Sequence, residues 1–142
     1  MRISDVLRGK GSSVATVDPG ISVSGLVGEL AKHNVGAMVV VENDAVVGIV
    51  SERDVVRRLH ERGTDLLNAT VSEIMTSTVF TCLPTDSVDS LAATMTERRI
   101  RHMPVVVDGE LVGIVSIGDV VKSRITELES DRDQLESYIA RG

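Results

Sequence analysis

Val47-Gly48-Ile49-Val50-Ser51 recurs unchanged as Val112-Gly113-Ile114-Val115-Ser116, 65 positions later. Three residues on, Asp54-Val55-Val56 recurs as Asp119-Val120-Val121 at the same offset. Working outward, Val14–Arg58 lies over Val79–Ser123 without a gap, and 17 of the 45 aligned positions are identical, too many for coincidence. Further upstream, Ile3-Ser4-Asp5-Val6-Leu7 lies over Val71-Ser72-Glu73-Ile74-Met75, now at an offset of 68. The first copy therefore carries three extra residues within Arg8–Ser13, where Gly9, Lys10 and Gly11 predict a loop. A repeat of this length is one supersecondary unit used twice. Halves of about 60 residues build poor cores alone, so the two are expected to pack together.

Each copy predicts the order β-α-β-β-α. Val14–Val17 is a short extended run broken by Pro19-Gly20, and Ser22 is a helix N-cap candidate. Val23, Leu26, Val27, Leu30 and Ala31 follow at helical spacing. The apolar runs Ala37–Val41 and Val46–Val50 flank Glu42-Asn43-Asp44, a hairpin turn. A helix then starts near Glu52 and stops near Gly63. In the second copy Thr78–Cys82 is extended, and Asp86 or Ser87 caps a helix carrying Val88, Leu91, Ala92 and Met95. Met103–Val107 and Leu111–Val115 flank the turn Asp108-Gly109, and a last helix begins near Ile117. The valine runs read as strands buried on both faces.

The chain of 142 residues is 42% hydrophobic and 25% charged, ordinary values for a globular domain. Phe80 and Tyr138 are the only aromatic residues, so the core must be aliphatic. A net charge of −6 and the lack of aromatic platforms argue against nucleic-acid binding. No apolar run approaches the roughly 20 residues of a membrane helix. Met1–Lys10 has no secretory apolar core, and Cys82 is the single cysteine, which together suggest a reducing, cytoplasmic setting. His33, His60 and His102 are scattered and, with one cysteine, predict no metal site.

Gly48-Ile49-Val50-Ser51-Glu52-Arg53-Asp54 and Gly113-Ile114-Val115-Ser116-Ile117-Gly118-Asp119 resemble the glycine-hydrophobic-x-Ser/Thr-x-x-Asp signature of CBS motifs, the family named after cystathionine β-synthase. Met38-Val39-Val40-Val41 and Met103-Pro104-Val105-Val106 are similar to the family's middle strand, and Val71–Thr76 resembles its opening segment. The resemblance implies an α/β (α+β) fold of two β-α-β-β-α motifs related by a pseudo-two-fold axis, a stand-alone Bateman module. The expected division is a first motif over 1–63, a linker and opening segment over 64–78, a second motif over 79–124 and a helical extension over 125–142.

Such modules commonly bind AMP, ADP, ATP, NAD or S-adenosylmethionine in clefts between the motifs and regulate a partner. Carried onto this chain, Asp54 and Asp119 accept the ribose hydroxyls, and Ser51 and Ser116 donate to a phosphate or ribose oxygen. Main-chain groups along Ala37, Met38 and Val39, and along His102, Met103 and Pro104, read the adenine, with Thr16 and Thr81 at the start of each cleft. The chemistry suits these residue types. A carboxylate at a helix start can take both hydroxyls of a cis-diol, beside free backbone N–H groups that favour an anion. Gly48 and Gly113 leave room for close approach of backbone or ligand. Against this stands a plain structural reading: Ser and Asp at a helix start are ordinary caps.

Glu97-Arg98-Arg99-Ile100-Arg101-His102 is the most basic stretch of an acidic chain. It reads either as cations favoured by a helix C-terminus or as a phosphate clamp of Arg101 and His102, with Arg99 a weaker candidate. The matching first-copy residues Asn34, Gly36 and Ala37 are neutral, so the two sites are expected to be unequal. Lys10, in its predicted loop, and Arg53, replaced by Gly118 in the second copy, are further candidate phosphate contacts.

Beyond the signature, Val121, Ile125, Leu128, Leu135 and Ile139 follow 4-3-7-4 spacing with Arg132 at the missing heptad position. This stripe packs either on its own domain or on a second copy, and the family's paired modules favour a homodimer. The favoured reading is a nucleotide-sensing regulatory module without catalysis or a catalytic cofactor. Its rivals are an interaction module with empty clefts, working through the terminal helix, and a nucleotide hydrolase, for which no base, nucleophile or metal cluster is visible.

Overall fold

Two β-hairpins, each followed by a helix, organise the chain. The structure is a computed structural model and describes residues 1–11 and 13–141. In chain order the elements are α1 (Ile3–Lys10), β1 (Thr16–Val17), α2 (Val23–His33), β2 (Ala37–Glu42), β3 (Ala45–Ser51) and α3 (Glu52–Arg62). A 3-10 turn, Gly63–Asn68, leads to α4 (Val71–Ile74), α5 (Val88–Arg98), β4 (His102–Val107), β5 (Glu110–Ser116) and α6 (Ile117–Arg141).

The hairpins are near copies. β2 and β3 pair antiparallel with a register shift between Val40 and Val41, and β4 and β5 repeat it between Val105 and Val106. Asn43 and Asp44, and then Asp108 and Gly109, turn the chain with positive φ at both central residues, the geometry that matches strand twist. Ser22 and Ser87 cap α2 and α5, each accepting from the N–H three residues on. The expected burial of the valine strands on both faces holds for Ala37–Val40 but not for β3 or β5, where half-buried residues alternate with buried ones.

The opening segments cross between the repeats. Ile3, fully buried, packs with Met95, Met103 and Val105 of the second repeat. Val71 and Ile74 pack with Leu26, Met38 and Val50 of the first. The same three backbone hydrogen bonds hold each arm. Ile3 and Ser4 donate to Asp86 and Pro84 while Val88 donates to Met1. Val71 and Ser72 donate to Ile21 and Pro19 while Val23 donates to Ala69. These bonds satisfy N–H groups that a helix start leaves without intrahelical partners. Burying Ile3 alone is worth about 1.5–3 kcal/mol.

Crossing explains the signature glycines. A Cβ on Gly48 would sit 2.6 Å from Met75 Sδ and 3.1 Å from the Thr76 carbonyl. One on Gly113 would sit 2.7 Å from Leu7 Cδ2. Both glycines therefore admit the crossing arm rather than a ligand.

Two expectations need correction. The insertion is not a loop at its start: α1 continues through Arg8 and Gly9 to Lys10 and ends at Gly11, φ 91°. Ser12 lies outside the described residues. The predicted strand over Thr78–Cys82 reduces to a single parallel bridge, Cys82 with Val105. Its counterpart β1 pairs Thr16 with Val39 and Val17 with Val40. Pro104 stands where the first copy has Val39, and its missing N–H removes the donor the longer pairing requires.

α6 carries the exposed stripe. Val120 and Ser123 at its base are buried, but Val121, Ile125, Leu128, Leu135 and Ile139 are each more than half exposed. Packing of this stripe back on its own domain is therefore excluded. Among the described residues no helix is long and apolar enough to cross a membrane.

Candidate functional site

Each signature closes as a reciprocal cap. Ser51 N–H donates to Asp54 Oδ2 at 2.8 Å and Asp54 N–H donates to Ser51 Oγ at 3.3 Å. Ser116 and Asp119 repeat this at 2.8 and 3.2 Å. The plain capping reading is thus realised in both copies. It leaves chemistry over, because every protein donor reaches Oδ2. Among the described residues none reaches Oδ1 of either aspartate, so each half-buried carboxylate keeps an oxygen available at a helix start.

The second copy gathers more groups. Lys10, at the last turn of α1, donates to Asp119 Oδ2 at 2.6 Å and to the Ile114 carbonyl at 2.9 Å. Burial acts to raise the Asp119 pKa, but the Lys10 ammonium and the Ser116 donors outweigh it and hold the carboxyl below its ordinary value. His102 opens β4 opposite Ser116. Burial pushes its pKa down, Lys10 and Arg101 add to the push, and Asp119 and Glu52 oppose it. The site thus joins the N-terminal arm, the second hairpin and the start of α6.

Asp54 and Ser51 stand without such company: among the described residues no cationic side chain pairs with Asp54. Arg53 is exposed beside it. Arg99 takes the left-handed C-cap of α5, φ 56°, the place Asn34 takes on α2, and it is not among the charges acting on His102. Arg101 is exposed next to His102, and its carbonyl accepts from Ile117 N–H.

The expected adenine-reading strands are only partly open. Val39 is held between β1 and β3, and the Pro104 carbonyl accepts from Cys82 N–H. The side chains of Met38, Val39 and Met103 are buried in the cores. Strand pairing on that edge starts beyond Ala37 and His102, whose main chains remain at the open end. Thr81 is exposed before Cys82. Thr16 lines an open groove of about 710 Å³ with Val14, Val41, Leu111 and the acidic residues Asp44, Asp108 and Glu110, and neither signature aspartate lines it.

Sequence reasoning missed the Ile114 carbonyl and Glu52. The signal for the first existed: Ile3, Leu7 and Lys10 share one helical face, so a helix packed through Ile3 and Leu7 carries Lys10 to the same surface. Burial pushes the Cys82 thiol up to about 11, with Asp86 adding to it, so it is an inert core group. Among the described residues no three His, Cys, Asp or Glu side chains converge to hold a metal.

Comparison with known proteins agrees with this geometry. A profile of the CBS domain matches residues 3–61 and 71–125. An Arabidopsis thaliana protein named "CBS domain-containing protein CBSX3, mitochondrial" is 38% identical over 99% of this chain and 72% of its own length. The crystal structure of a CBS-domain containing protein from Agrobacterium tumefaciens is 42% identical, with a TM-score of 0.85, covering 87% of this chain and 99% of that one. The CBS domain pair of protein MJ0100, solved in complex with 5'-methylthioadenosine and S-adenosyl-L-methionine, is 28% identical with a TM-score of 0.80, over 89% and 98% of the two chains.

Proposed function

This chain belongs to the CBS-domain family, as a tandem pair, and from that premise we propose that it is a regulatory module binding an adenosine-containing ligand. The observation that carries the reading is the Asp119 carboxylate, half-buried at a helix start with one oxygen engaged and one available. A ribose cis-diol donating to Oδ1 would gain about 1.5–3 kcal/mol per hydrogen bond to the charged group. Ser116 and the N-terminal amides of α6 would receive a phosphate oxygen. The MJ0100 pair, of the same fold, holds two adenosine compounds, which supports this ligand class. AMP, ADP, ATP and NAD all carry the required ribose.

The regulatory step is a shift of population. The Asp119 site lies on the second core, into which the arm crosses, and Glu52 of the first repeat acts on its His102, so a ligand that contacts both sides favours one arrangement of the two. The occupied state then acts on a partner protein, with no catalysis by this chain, in a cytoplasmic setting with which its single cysteine is compatible. Calorimetry on the full chain with AMP, ADP, ATP, NAD, NADH and S-adenosylmethionine tests this. Saturable binding by at least one, lost in Asp54→Ala or Asp119→Ala, is the expected result. Absence of binding by all six at millimolar concentration refutes it.

A second reading has its own observation. α3 buries none of its residues, and Val56 and Leu59 on it, with the α6 stripe, are exposed apolar surface. This supports a homodimer, and an interaction role for α6 even with empty clefts. Deleting residues 130–142 distinguishes the two, because loss of association with ligand binding intact assigns that helix to assembly alone.

A further inference from the structure

The two signature aspartates sit in matching caps, yet among the described residues only Asp119 has a counter-ion. The difference traces to the three-residue insertion. Lys10 lies over Thr78 at the upstream offset of 68. α4 ends at Ile74, whereas α1 runs on through the inserted turn to Lys10. That extra turn places an ammonium 2.6 Å from Asp119 and 2.9 Å from the Ile114 carbonyl. At Asp54, among the described residues, the carboxylate accepts from Ser51 alone.

Resting on the ligand class proposed above, we infer that Lys10 makes the Asp119 cleft selective for phosphorylated adenosine, while the Asp54 cleft tolerates the uncharged nucleoside. The physical basis is an exchange of partners. In the unliganded cleft Lys10 and Asp119 neutralise each other in a partly buried pair, with side chains 35% and 20% exposed. A ribose donating to Oδ1 draws on the same carboxylate charge that holds Lys10 on Oδ2, and so weakens this pair. A phosphate offers the ammonium a replacement anion, so the charge stays compensated. A nucleoside without phosphate offers none, so Lys10 is left with a weakened ion pair and the Ile114 carbonyl. Burial, with Lys10 and Arg101, disfavours the charged form of His102 next to the pair, so among the described residues Lys10 and the exposed Arg101 are the cations that act there.

The test uses AMP and adenosine as probes on the full chain, by calorimetry, in an Asp54→Asn background that silences the first cleft. Lys10→Met removes the charge and keeps the apolar stem, and Lys10→Arg keeps the charge. With Lys10 present, AMP should bind at least about tenfold tighter than adenosine, the worth of one charge-assisted hydrogen bond. In Lys10→Met the ratio should collapse towards unity, partly through stronger adenosine binding, and Lys10→Arg should restore most of it. Equal change of both affinities in Lys10→Met, or none, overturns the inference and leaves the proposed function standing. Failure of both probes to bind the protein with both aspartates intact overturns the inference, and the proposed function falls with it if ADP, ATP, NAD, NADH and S-adenosylmethionine fail as well. Circular dichroism of each variant reports that the exposed substitution leaves the fold in place.

Discussion

Gly113→Ala is expected to destabilise the protein through one named contact. The new Cβ would lie 2.7 Å from Leu7 Cδ2 and 3.0 Å from Cδ1. Carbon atoms pack best at about 3.5–4.0 Å, so Leu7 must retreat by roughly 0.8 Å. Leu7 is half-buried and packs against the cluster that holds Ile3 and Met95, so its δ methyls must turn out of that packing. Overpacking of this kind costs about 1–3 kcal/mol. For a chain of this length that is roughly 3 °C of melting temperature per kcal/mol. Leu7→Ala removes the obstructing methyls, and because Leu7 is half-buried its own cost falls below the ~2–5 kcal/mol of a fully buried leucine. The double variant should therefore be more stable than the sum of the two single losses, by about 1 kcal/mol or more. Urea unfolding of the four proteins, with coincident probes to establish two-state behaviour, measures the coupling. Additivity within about 0.5 kcal/mol would refute the crossing of α1 onto β5, and with it the delivery of Lys10 to Asp119.

Ile3→Ala, at a fully buried position, should cost about 2–5 kcal/mol although it lies three residues from the start of the sequence, read by the same unfolding assay. His102 carries a folded pKa below its unfolded value near 6.5, so the unfolded chain takes up the proton first as pH falls. Stability should thus decline from about pH 6.5 down to the folded pKa and be untouched by this group above it, and His102→Gln should flatten that slope in melting curves recorded between pH 7.5 and 5. Removing residues 131–142 should leave the melting temperature of dilute protein nearly unchanged, because residues 131–141 are all exposed, whereas sedimentation should show weaker self-association.

Much of the fold was legible because the two copies repeat their punctuation. Ser22 and Ser87, the hairpin turns and the Ser-x-x-Asp starts are local devices, and each acts where the sequence places it. The crossing was not legible. Periodicity says that Ile3, Val6 and Leu7 share an apolar face, but not which neighbour covers it. Only the change of offset from 65 to 68 hinted at a join between copies. Gly9 misled the reading of Lys10, since a helix tolerates an interior glycine at about 1 kcal/mol and open space surrounds this one. Gly11, with its positive φ, is the true stop. The missing strand at Thr78–Cys82 follows from Pro104, a residue noted for its motif and not for the donor it lacks. At the site, the caps were foreseen as an alternative to ligand contact. The geometry makes the two compatible, since the cap uses one carboxylate oxygen and leaves the other.

The central claim is that an adenosine ligand enters at Asp119, among Lys10, Ser116 and His102. An amide-resolved NMR titration of the full chain with AMP tests it most directly. The account predicts saturable shifts centred on Ser116–Val120, Lys10 and His102, with a matching set around Ser51–Val55 if the first cleft also fills. Shifts confined to the exposed face of α6, or none at millimolar AMP, would contradict it.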